Sequence, residues 1–269
     1  MAITALNSAA TGLRALSTSI DVIANNLANA ETQAFKRSRV NFEDLMYQEF
    51  KQPGTTNANG DMSPAGIYVG LGTRISNTQL DLTAGSMENT GNNLDVGIQG
   101  NGFFRVKILS TIADGTGYTR NGSFFLNNQG QMTLDMGDGY TLIPPITIPP
   151  GATNISISQA GVVQYTPQGS TQQATAGQIQ LYQFVNPQGL NMLGGSIYTQ
   201  TDASGPSLQS KPGDNGSGTL LEGFLEESNV DPVKELVELI KTQNSFQLNS
   251  QSIQVADQAL QTIGNLRHG

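Results

Sequence analysis

A seven-residue repeat near each end of the chain restricts what this sequence can fold into. Near the N-terminus two positions of the repeat stay apolar or small for nearly four heptads. The first position is occupied by Ile3, Ala10, Ser17 and Ala24, and the second by Leu6, Leu13, Ile20 and Leu27. Spacings of three and four residues place both sets on one face of an α-helix, as in a coiled coil. The repeat therefore predicts a long helix that requires a partner helix.

The back of this predicted helix is unusual because it carries no charge. An exposed helix back normally carries Glu and Lys, but here the outward positions hold Ala, Ser, Thr, Gly, Val and Asn. Arg14 and Asp21 are the only charged residues before Glu31. Small side chains allow close approach of another chain, and asparagine can form hydrogen bonds to it. We therefore expect this face to be covered by neighbouring subunits.

The C-terminal segment predicts a second long helix, from Pro232 to about Leu266. Asp231 is suited to the N-cap, proline to the first helical position and Glu235 to the positive end of the helix dipole. Its large apolar residues recur every seven positions, at Leu239, Phe246, Ile253 and Leu260. The expected companion positions are Leu236, Gln243, Ser250 and Asp257, so the seam as a whole is half polar.

The simplest arrangement pairs the two terminal helices within one monomer. Burying eight large apolar side chains contributes about 12–24 kcal/mol at ~1.5–3 kcal/mol each. Ordering the backbone of both helices costs ~1–2 kcal/mol per residue. Burial between the two helices is therefore small relative to this cost unless other subunits add to it. Both arrangements remain open from the residues alone.

Between the helices the apolar period changes from seven to two. Alternating apolar and polar residues between Gly, Asn and Pro breaks occur at 93–108, 117–126, 140–148, 153–166 and 177–185. They predict a compact antiparallel β domain, preceded by an arm that begins as possible helix at 42–48 and then becomes extended. The predicted class is α+β, with a coiled-coil helix at 1–35 pairing with 230–269, an extended arm at 36–75 and a β-rich outer domain at 76–229.

Composition argues against several functional classes. The net charge of -8 argues against nucleic-acid binding, and the chain has no cysteine and one histidine, His268. It has neither a long apolar run for membrane insertion nor an N-terminal pattern typical of a cleavable secretory signal. We predict no catalytic, cofactor-binding or metal-binding residues and no cofactor. A glycan-acting enzyme with two carboxylates, or a soluble secreted binding module, remains the alternative from another class.

Two short charged stretches are interpreted as solvated turns. The first contains Lys36, Arg37 and Arg39, and a docking patch is the less favoured interpretation. The second is the adjacent pair Glu226 and Glu227. Neither stretch lies in a recognisable site motif.

Several motifs resemble those of the axial proteins of the bacterial flagellum, the rod and hook family. IDVIANNLAN and FKR (20–29, 35–37) look like its N-terminal signature, and NLDVGIQGNGFF, YTRNGSF, GFLEESNVDPVKELVELI and DQALQ are similar to its later motifs. FEDLMYQ, KQPG and GIYVGLGTR (42–48, 51–54, 66–74) resemble the distal rod more than the hook. The proximal rod and the hook are the nearest alternatives.

The resemblance implies a helical homopolymer that acts as a drive shaft in the periplasm. Its implied partners are the proximal rod proteins, the hook protein, the periplasmic and outer-membrane ring proteins, and the flagellar type III export apparatus. Termini in this family are disordered before polymerisation and then form an inner coiled-coil tube with the β domain outside. The expected interface residues are Leu6, Leu13, Ile20, Leu27, Leu239, Phe246, Ile253 and Leu260.

The chain departs from the family pattern at four positions. Ala34 stands where the family favours glycine before Phe-Lys, and Asn244, Gln247 and Gln251 replace usual charged residues. The turn at Ala34 and any ion pairs of the last helix are therefore expected to differ.

Overall fold

A computed structural model describes residues 2–55, 62, 64–108, 113–135 and 139–268 of the chain. The chain folds as two units. The helical unit comprises residues 1–28, 38–80 and 231–269, and the β unit comprises 29–37 and 81–230. The α+β class with mainly antiparallel sheets is confirmed. Within the part of the chain that is described, no helix is long and apolar enough to cross a membrane.

The helical unit combines two long helices with a two-stranded ribbon. Its elements are α1 Ala2–Ala28, β1 Ser38–Asp44, β2 Tyr47–Lys51, β3 Ile67–Gly70, β4 Thr73–Leu80 and α2 Pro232–His268. Strands β1 and β4 pair antiparallel, as do β2 and β3, and the Leu45 N–H donates to Gly72 O between the two pairs. The possible helix at 42–48 is wrong, because these residues pair across the ribbon.

The predicted start of α2 is confirmed. Asp231 Oδ1 accepts hydrogen bonds from the backbone N–H groups of Val233 at 3.1 Å and Lys234 at 3.3 Å. These two N–H groups have no partner inside the helix, so the N-cap satisfies them. Pro232 occupies the first helical position, where its missing N–H costs nothing.

The ribbon approaches α1 closely at one glycine. Gly72 has a φ of 114°, and a β-carbon built on it would lie 2.1 Å from Thr11 Oγ1. The neighbouring Thr73 N–H donates to Thr11 Oγ1 at 3.3 Å. Only a residue without a side chain fits at this position.

The β unit contains sixteen strands in its described residues. They are β5 Met87–Asn89, β6 Val96–Gln99, β7 Phe104–Lys107, β8 Thr116–Thr119, β9 Phe124–Leu126, β10 Met132–Leu134, β11 Thr141–Ile143, β12 Thr153–Ile157, β13 Val162–Thr166, β14 Ala174–Gln178, β15 Leu181–Gln183, β16 Asn191–Gly194, β17 Ile197–Thr199, β18 Leu208–Ser210, β19 Thr219–Glu222 and β20 Phe224–Glu226. Two single-turn 3-10 helices lie at Ala113–Gly115 and Pro187–Gly189.

The strands of the β unit pair antiparallel throughout. The largest sheet has the order β16-β17-β8-β7-β11-β10-β9, a second sheet has the order β12-β13-β14, and the remaining pairs are β15-β18, β19-β6 and β20-β5. The main apolar core is built from inward residues such as Val96, Phe104, Phe124, Leu142 and Leu220, each no more than 1% exposed. A separate, smaller cluster contains Val106, Ile108 and Ile197. The alternating pattern is therefore the cause of a closed core.

Candidate functional site: the helix pair and a buried charged cluster

Helices α1 and α2 run antiparallel and touch through small and polar residues. Asn26 Nδ2 donates to Glu235 Oε2 at 3.1 Å, and a β-carbon built on Gly12 would lie 3.1 Å from Asn249 Nδ2. As the α1 number falls from 26 to 12, the α2 number rises from 235 to 249, which defines the direction of pairing. The helices are therefore close enough at Gly12 that a β-carbon there would displace the Asn249 side chain by a few tenths of an ångström.

The buried face of α1 differs from the face that carries the leucine repeat. Its buried residues are Gly12, Ala15, Ile23 and Asn26. The predicted Leu6, Leu13, Ile20 and Leu27 are each half-buried on the adjacent face, whereas Ser17 and Ala24 are exposed. Ile3 lies outside the residues whose side chains are described. The leucine repeat is thus only partly covered within one chain.

The predicted large residues of α2, Leu239, Phe246, Ile253 and Leu260, are also half-buried. Three of their predicted companions lie one residue too late, since Leu236 is 45% exposed and Gln243 and Asp257 are exposed, whereas Ser250 is half-buried. The companions that the fold covers are Glu235, Thr242, Asn249 and Ala256. Both rows fit a seven-residue repeat, and only the position of α1 selects between them.

The opposite face of α2 is apolar and uncovered. Its exposed large residues are Val233, Leu236, Val237, Ile240, Leu248 and Val255. Residues of an α-helix lie ~100° apart, so Val237 and Phe246 point in opposite directions. From 242 to 256 the helix contains no charged residue. Asn244, Gln247 and Gln251, the departures from the family pattern, are exposed here.

The distal half of the ribbon exposes further large apolar side chains. These are Met46, Tyr47, Phe50, Ile67 and Tyr68, and they are 50–85% exposed. Two-stranded ribbons are marginally stable in water. This segment therefore has the composition of a buried surface without being buried in one chain.

Asn26 connects α1 to the start of the ribbon. It is 1% exposed. Its Nδ2 donates to Ser38 O at 2.8 Å and its Oδ1 accepts from the Ser38 N–H at 2.9 Å. The side chain thus forms hydrogen bonds with both the backbone N–H and the carbonyl oxygen of Ser38. One of the asparagines of ANNLAN therefore has a structural role.

A buried charged cluster lies inside the β unit, formed by Lys36, Arg120 and Glu226. Lys36 Nζ donates to Glu226 Oε1 at 2.5 Å and to Thr83 O at 2.6 Å. Arg120 Nε donates to Glu226 Oε2 at 2.7 Å. All three side chains are at most 4% exposed. Buried charges are tolerated only when they are paired and hydrogen-bonded, as here.

The remaining polar atoms of the charged cluster also have partners. Arg120 Nη1 donates to the carbonyl oxygens of Gly100 and Gly102, both at 3.0 Å, and Nη2 donates to Ile98 O at 3.2 Å. Glu226 Oε1 also accepts from the Gly85 N–H at 2.9 Å. The cluster therefore holds several chain segments together.

The electrostatic balance of the cluster favours an ionised glutamate. Burial by itself raises the pKa of Glu226, but the positive charges of Arg120 and Lys36 and hydrogen bonds from Lys36 and the Gly85 N–H outweigh burial and lower it. Burial lowers the pKa of Lys36, and the charge of Glu226 opposes this effect.

The interpretation of both charged stretches as solvated turns is partly wrong. Lys36 and Glu226 are buried, whereas Arg39 and Glu227 are exposed as predicted. Arg37 is half-buried, with Nε 4.0 Å from Asp81 Oδ2. The partners Lys36 and Glu226 are 190 residues apart in sequence, so no local pattern indicated the pair.

Ala34 adopts a backbone conformation that favours glycine. Its φ is 54° and it is 1% exposed. The resemblance places a glycine here in other members of the family, and the left-handed conformation explains why. The Ala34 N–H donates to Glu226 O at 2.8 Å, which holds the strained turn beside the cluster.

Comparison with known proteins gives matches along nearly the whole chain. Family models match for "Flagella basal body rod protein" over residues 6–36, "Flagellar hook protein FlgE/F/G D1 domain" over 97–165 and "Flagellar basal body rod FlgEFG protein C-terminal" over 221–266. The chain is 44% identical over 257 residues to flagellar basal-body rod protein FlgG of Buchnera aphidicola subsp. Schizaphis graminum, covering 95% of this chain and 96% of that protein.

Two further relatives carry the same description. Flagellar basal-body rod protein FlgG of Caulobacter vibrioides is 40% identical, covering 98% of this chain and 99% of the relative. That of Bacillus subtilis is 38% identical, covering 97% and 98%. The chain belongs to the family of flagellar basal-body rod proteins.

The rod protein is a structural component of the flagellum and not an enzyme. Among its described residues, no group of three or more His, Cys, Asp or Glu side chains could hold a metal ion. The family-model matches include most of both helices and two residues of the charged cluster. Lys36 is the last residue of the N-terminal match, and Glu226 lies in the C-terminal match.

Proposed function

We propose that this rod protein is the subunit of the distal rod, polymerising into a helical tube that transmits torque from the motor to the hook. The observation that carries the proposal is the second, uncovered apolar face of α2. A helix that is apolar on opposite sides requires burial on both. One side packs on α1, so we assign the other side to neighbouring copies.

In this proposal the N-terminal segment 1–35 and the C-terminal segment 230–269 form the inner coiled-coil tube. The half-buried leucine repeat of α1 and the four large residues of α2 complete their burial between subunits. The β-rich region of 76–229 forms the outside, and the arm of 36–75 joins the two. A contact that does not close on itself generates a helical filament of this kind.

The arm is proposed to bind neighbouring subunits and to stiffen the shaft. Its support is the uncovered apolar surface of Met46, Tyr47, Phe50, Ile67 and Tyr68. A cluster of exposed large apolar side chains, several of them aromatic, is typical of interaction surfaces. Deleting the exposed part of the arm should give a softer or differently curved tube, and an unchanged bending stiffness would contradict the assignment.

The proposed location is the periplasmic rod of the basal body, reached by type III export without a cleaved signal. The proposed partners are a second copy, the proximal rod and hook proteins, and the periplasmic and outer-membrane rings. Full-length similarity to proteins described as FlgG favours the distal rod over the proximal rod and the hook.

The face assignment is tested by charge substitution in filaments. Val237→Asp on the uncovered face and Leu13→Asp or Phe246→Asp on the half-buried rows should block assembly, because each would place a carboxylate in an apolar interface. Ser245→Asp is the matched control, since Ser245 is exposed and lies along the same helix row as Lys234 and Lys241. Electron microscopy measures assembly, and near-ultraviolet circular dichroism reports whether the β unit is folded. Normal filaments from the three apolar-site variants would overturn the proposal.

A second test compares the dilute chain with the assembled chain. Residues 1–30 and 232–269 should be cut readily by protease in dilute solution, and should become helical and protected in filaments. Helical, protected termini in a small soluble oligomer would instead indicate a binding module.

A further inference from the structure

The polypeptide leaves the β unit at four points, and all four lie next to one group of contacts. The unit consists of residues 29–37 and 81–230, so the exits lie at residues 29, 37, 81 and 230. Any force that reaches this unit through the rest of the chain must enter at these residues. The contacts that hold the exits therefore determine how the unit responds to load.

Asn229 connects three of the exits directly. Its Oδ1 accepts from the Arg37 N–H at 2.8 Å, and its Nδ2 donates to the carbonyl oxygens of Asp81 at 2.8 Å and Thr83 at 3.1 Å. The Asp81 N–H donates to Arg37 O at 2.9 Å. One asparagine thus bridges the segments that end at residues 37, 81 and 230.

The charged cluster connects the same segments a few residues further inside. Lys36 precedes Arg37, Glu226 precedes Asn229, and Lys36 Nζ also reaches Thr83 O. The remaining exit, at residue 29, is held through the Ala34 N–H bonded to Glu226 O. Arg120 anchors Glu226 to the body of the unit through Ile98, Gly100 and Gly102.

The choice of residue types here differs from the rest of the β unit. The main core is built from apolar side chains. Replacing a buried ion pair by apolar residues is often neutral or stabilising, so stability alone does not explain three buried charges at the exits. Charge-assisted hydrogen bonds are short and directional. They fix relative position in a way that apolar contacts do not.

We propose that Lys36, Arg120, Glu226 and Asn229 form an exit clamp that carries mechanical load between the β unit and the rest of the rod subunit. The clamp holds all four exits at one place, so no exit can be drawn out of the unit until contacts of several segments break. The inference rests on the proposed torque-transmitting function, for which a rigid connection is required.

Force measurement on single full-length chains tests the clamp. The chain has no cysteine, so handles attach only to introduced ones. The loaded geometry uses Glu31→Cys, two residues inside the exit at 29, and Lys234→Cys, four residues beyond the exit at 230. The control geometry uses Asn128→Cys and Asp202→Cys, which are exposed within the β unit. Each pair is combined with Lys36→Met, Glu226→Gln or Asn229→Ala. Lys107→Met, at an exposed lysine of the same unit, is the matched control.

We expect the clamp variants to lower the opening force more in the loaded geometry than in the control geometry. Because forced opening follows the unfolding rate and breaking a buried ion pair is costly, the rate at fixed force should rise by at least about 100-fold. A general loss of stability without a clamp would lower the force equally in both geometries, and that result would overturn the clamp, as would no change in either. If Lys36→Met does not fold, Glu226→Gln and Asn229→Ala decide the result alone.

The measurement is independent of filament assembly. Failure of Val237→Asp to block assembly would contradict the proposed function and leave the force result standing. An equal reduction of the opening force in the loaded and control geometries would contradict the clamp and leave the rod assignment intact. In cells, clamp variants should assemble rods and swim in dilute medium but lose motility at high viscosity. Equal loss of motility at all viscosities would contradict the clamp.

Discussion

The β unit and the helical unit differ in how they treat large side chains. In the described residues of the β unit, Phe104, Phe124, Leu134, Ile146 and Leu181 are among many large side chains at most 2% exposed. Among the helical-unit residues whose side chains are described, only Ala15, Ile23 and Leu80 are buried apolar residues. Most of the large apolar side chains that the structure leaves exposed belong to the helical unit. The β unit buries most of its large apolar side chains within one chain, whereas the helical unit leaves many exposed, which the proposed assembly would cover.

This difference indicates which parts of the sequence stabilise the single chain and which parts are available for assembly. The β unit can hold buried charges because a closed core surrounds them. The helical unit depends on tertiary and intersubunit packing, since isolated helices and ribbons are marginal in water. The substitutions below either break this division or sharpen it, in order of decreasing expected effect.

The largest effect is expected for Glu226→Ala. Removing the carboxylate leaves Lys36 and Arg120 buried without their counter-ion, which should lower the free energy of unfolding of the β unit by about 3–5 kcal/mol. Urea unfolding followed by tyrosine fluorescence measures it. The adjacent Glu227→Ala is the control and should change stability by less than about 1 kcal/mol, since Glu227 is exposed. Equal effects at the two positions would show that the charged cluster contributes little.

A smaller effect is expected for Asn26→Ala in the helical unit. It removes hydrogen bonds to the backbone of Ser38 and to Glu235, which should cost about 1–3 kcal/mol. The loss should appear in the resistance of assembled filaments to urea and not in the unfolding of the β unit. Asn25→Ala, at an exposed neighbour, should have the smaller effect. A change confined to the β unit would contradict the division into two units.

Acid should weaken the β unit through Glu226. Its folded pKa lies below the ordinary value of 4.5, so its contribution to stability is fully present above that pH and is lost as pH falls through the folded pKa. Urea titrations between about pH 3 and pH 6 measure this slope. Glu226→Gln should reduce it, and Asp81, whose pKa is also lowered, should account for part of the remainder. An unchanged slope in Glu226→Gln would exclude Glu226 as a source of acid sensitivity.

The smallest effect is expected for Ala34→Gly. Relief of the left-handed conformation gains about 1–2 kcal/mol. Loss of the buried methyl group costs about 0.8 kcal/mol, and the greater backbone freedom of unfolded glycine costs about 0.5–1 kcal/mol. The net change should therefore lie within about 0.8 kcal/mol of zero. Thermal unfolding measures it, and Ala34→Val, which keeps the strain and adds bulk, should be clearly destabilised. A gain above about 1.5 kcal/mol would show that the methyl group contributes nothing.

Several elements were predictable because their causes are local. The N-cap at Asp231, the proline after it and the apolar repeat of α2 all act within a few residues. The alternation that forms the β core is local too. The segment 42–48 was ambiguous, and pairing with residues 67–80 decided in favour of strands over helix.

The candidate site was less predictable. Three of the four predicted companions on α2 were displaced by one residue, because the repeat permits two neighbouring rows and the contact with α1 selects one. Lys36 and Glu226 looked like members of solvated charged runs, because their neighbours in sequence are charged and their partners are distant. A lysine directly after Phe35 and a glutamate directly after Leu225 were the available signals, and neither specifies a partner.

The sequence by itself determined two terminal helices, antiparallel strands between them, the absence of a recognisable catalytic motif and the resemblance to flagellar axial proteins. These properties depend on periodicity, capping and composition, which are set by residues close together in the chain. Only the tertiary structure decided which helix faces are covered and which charges are buried together. The physical reason is distance along the chain: Lys36 and Glu226 are 190 residues apart in sequence and become partners only when the tertiary structure forms.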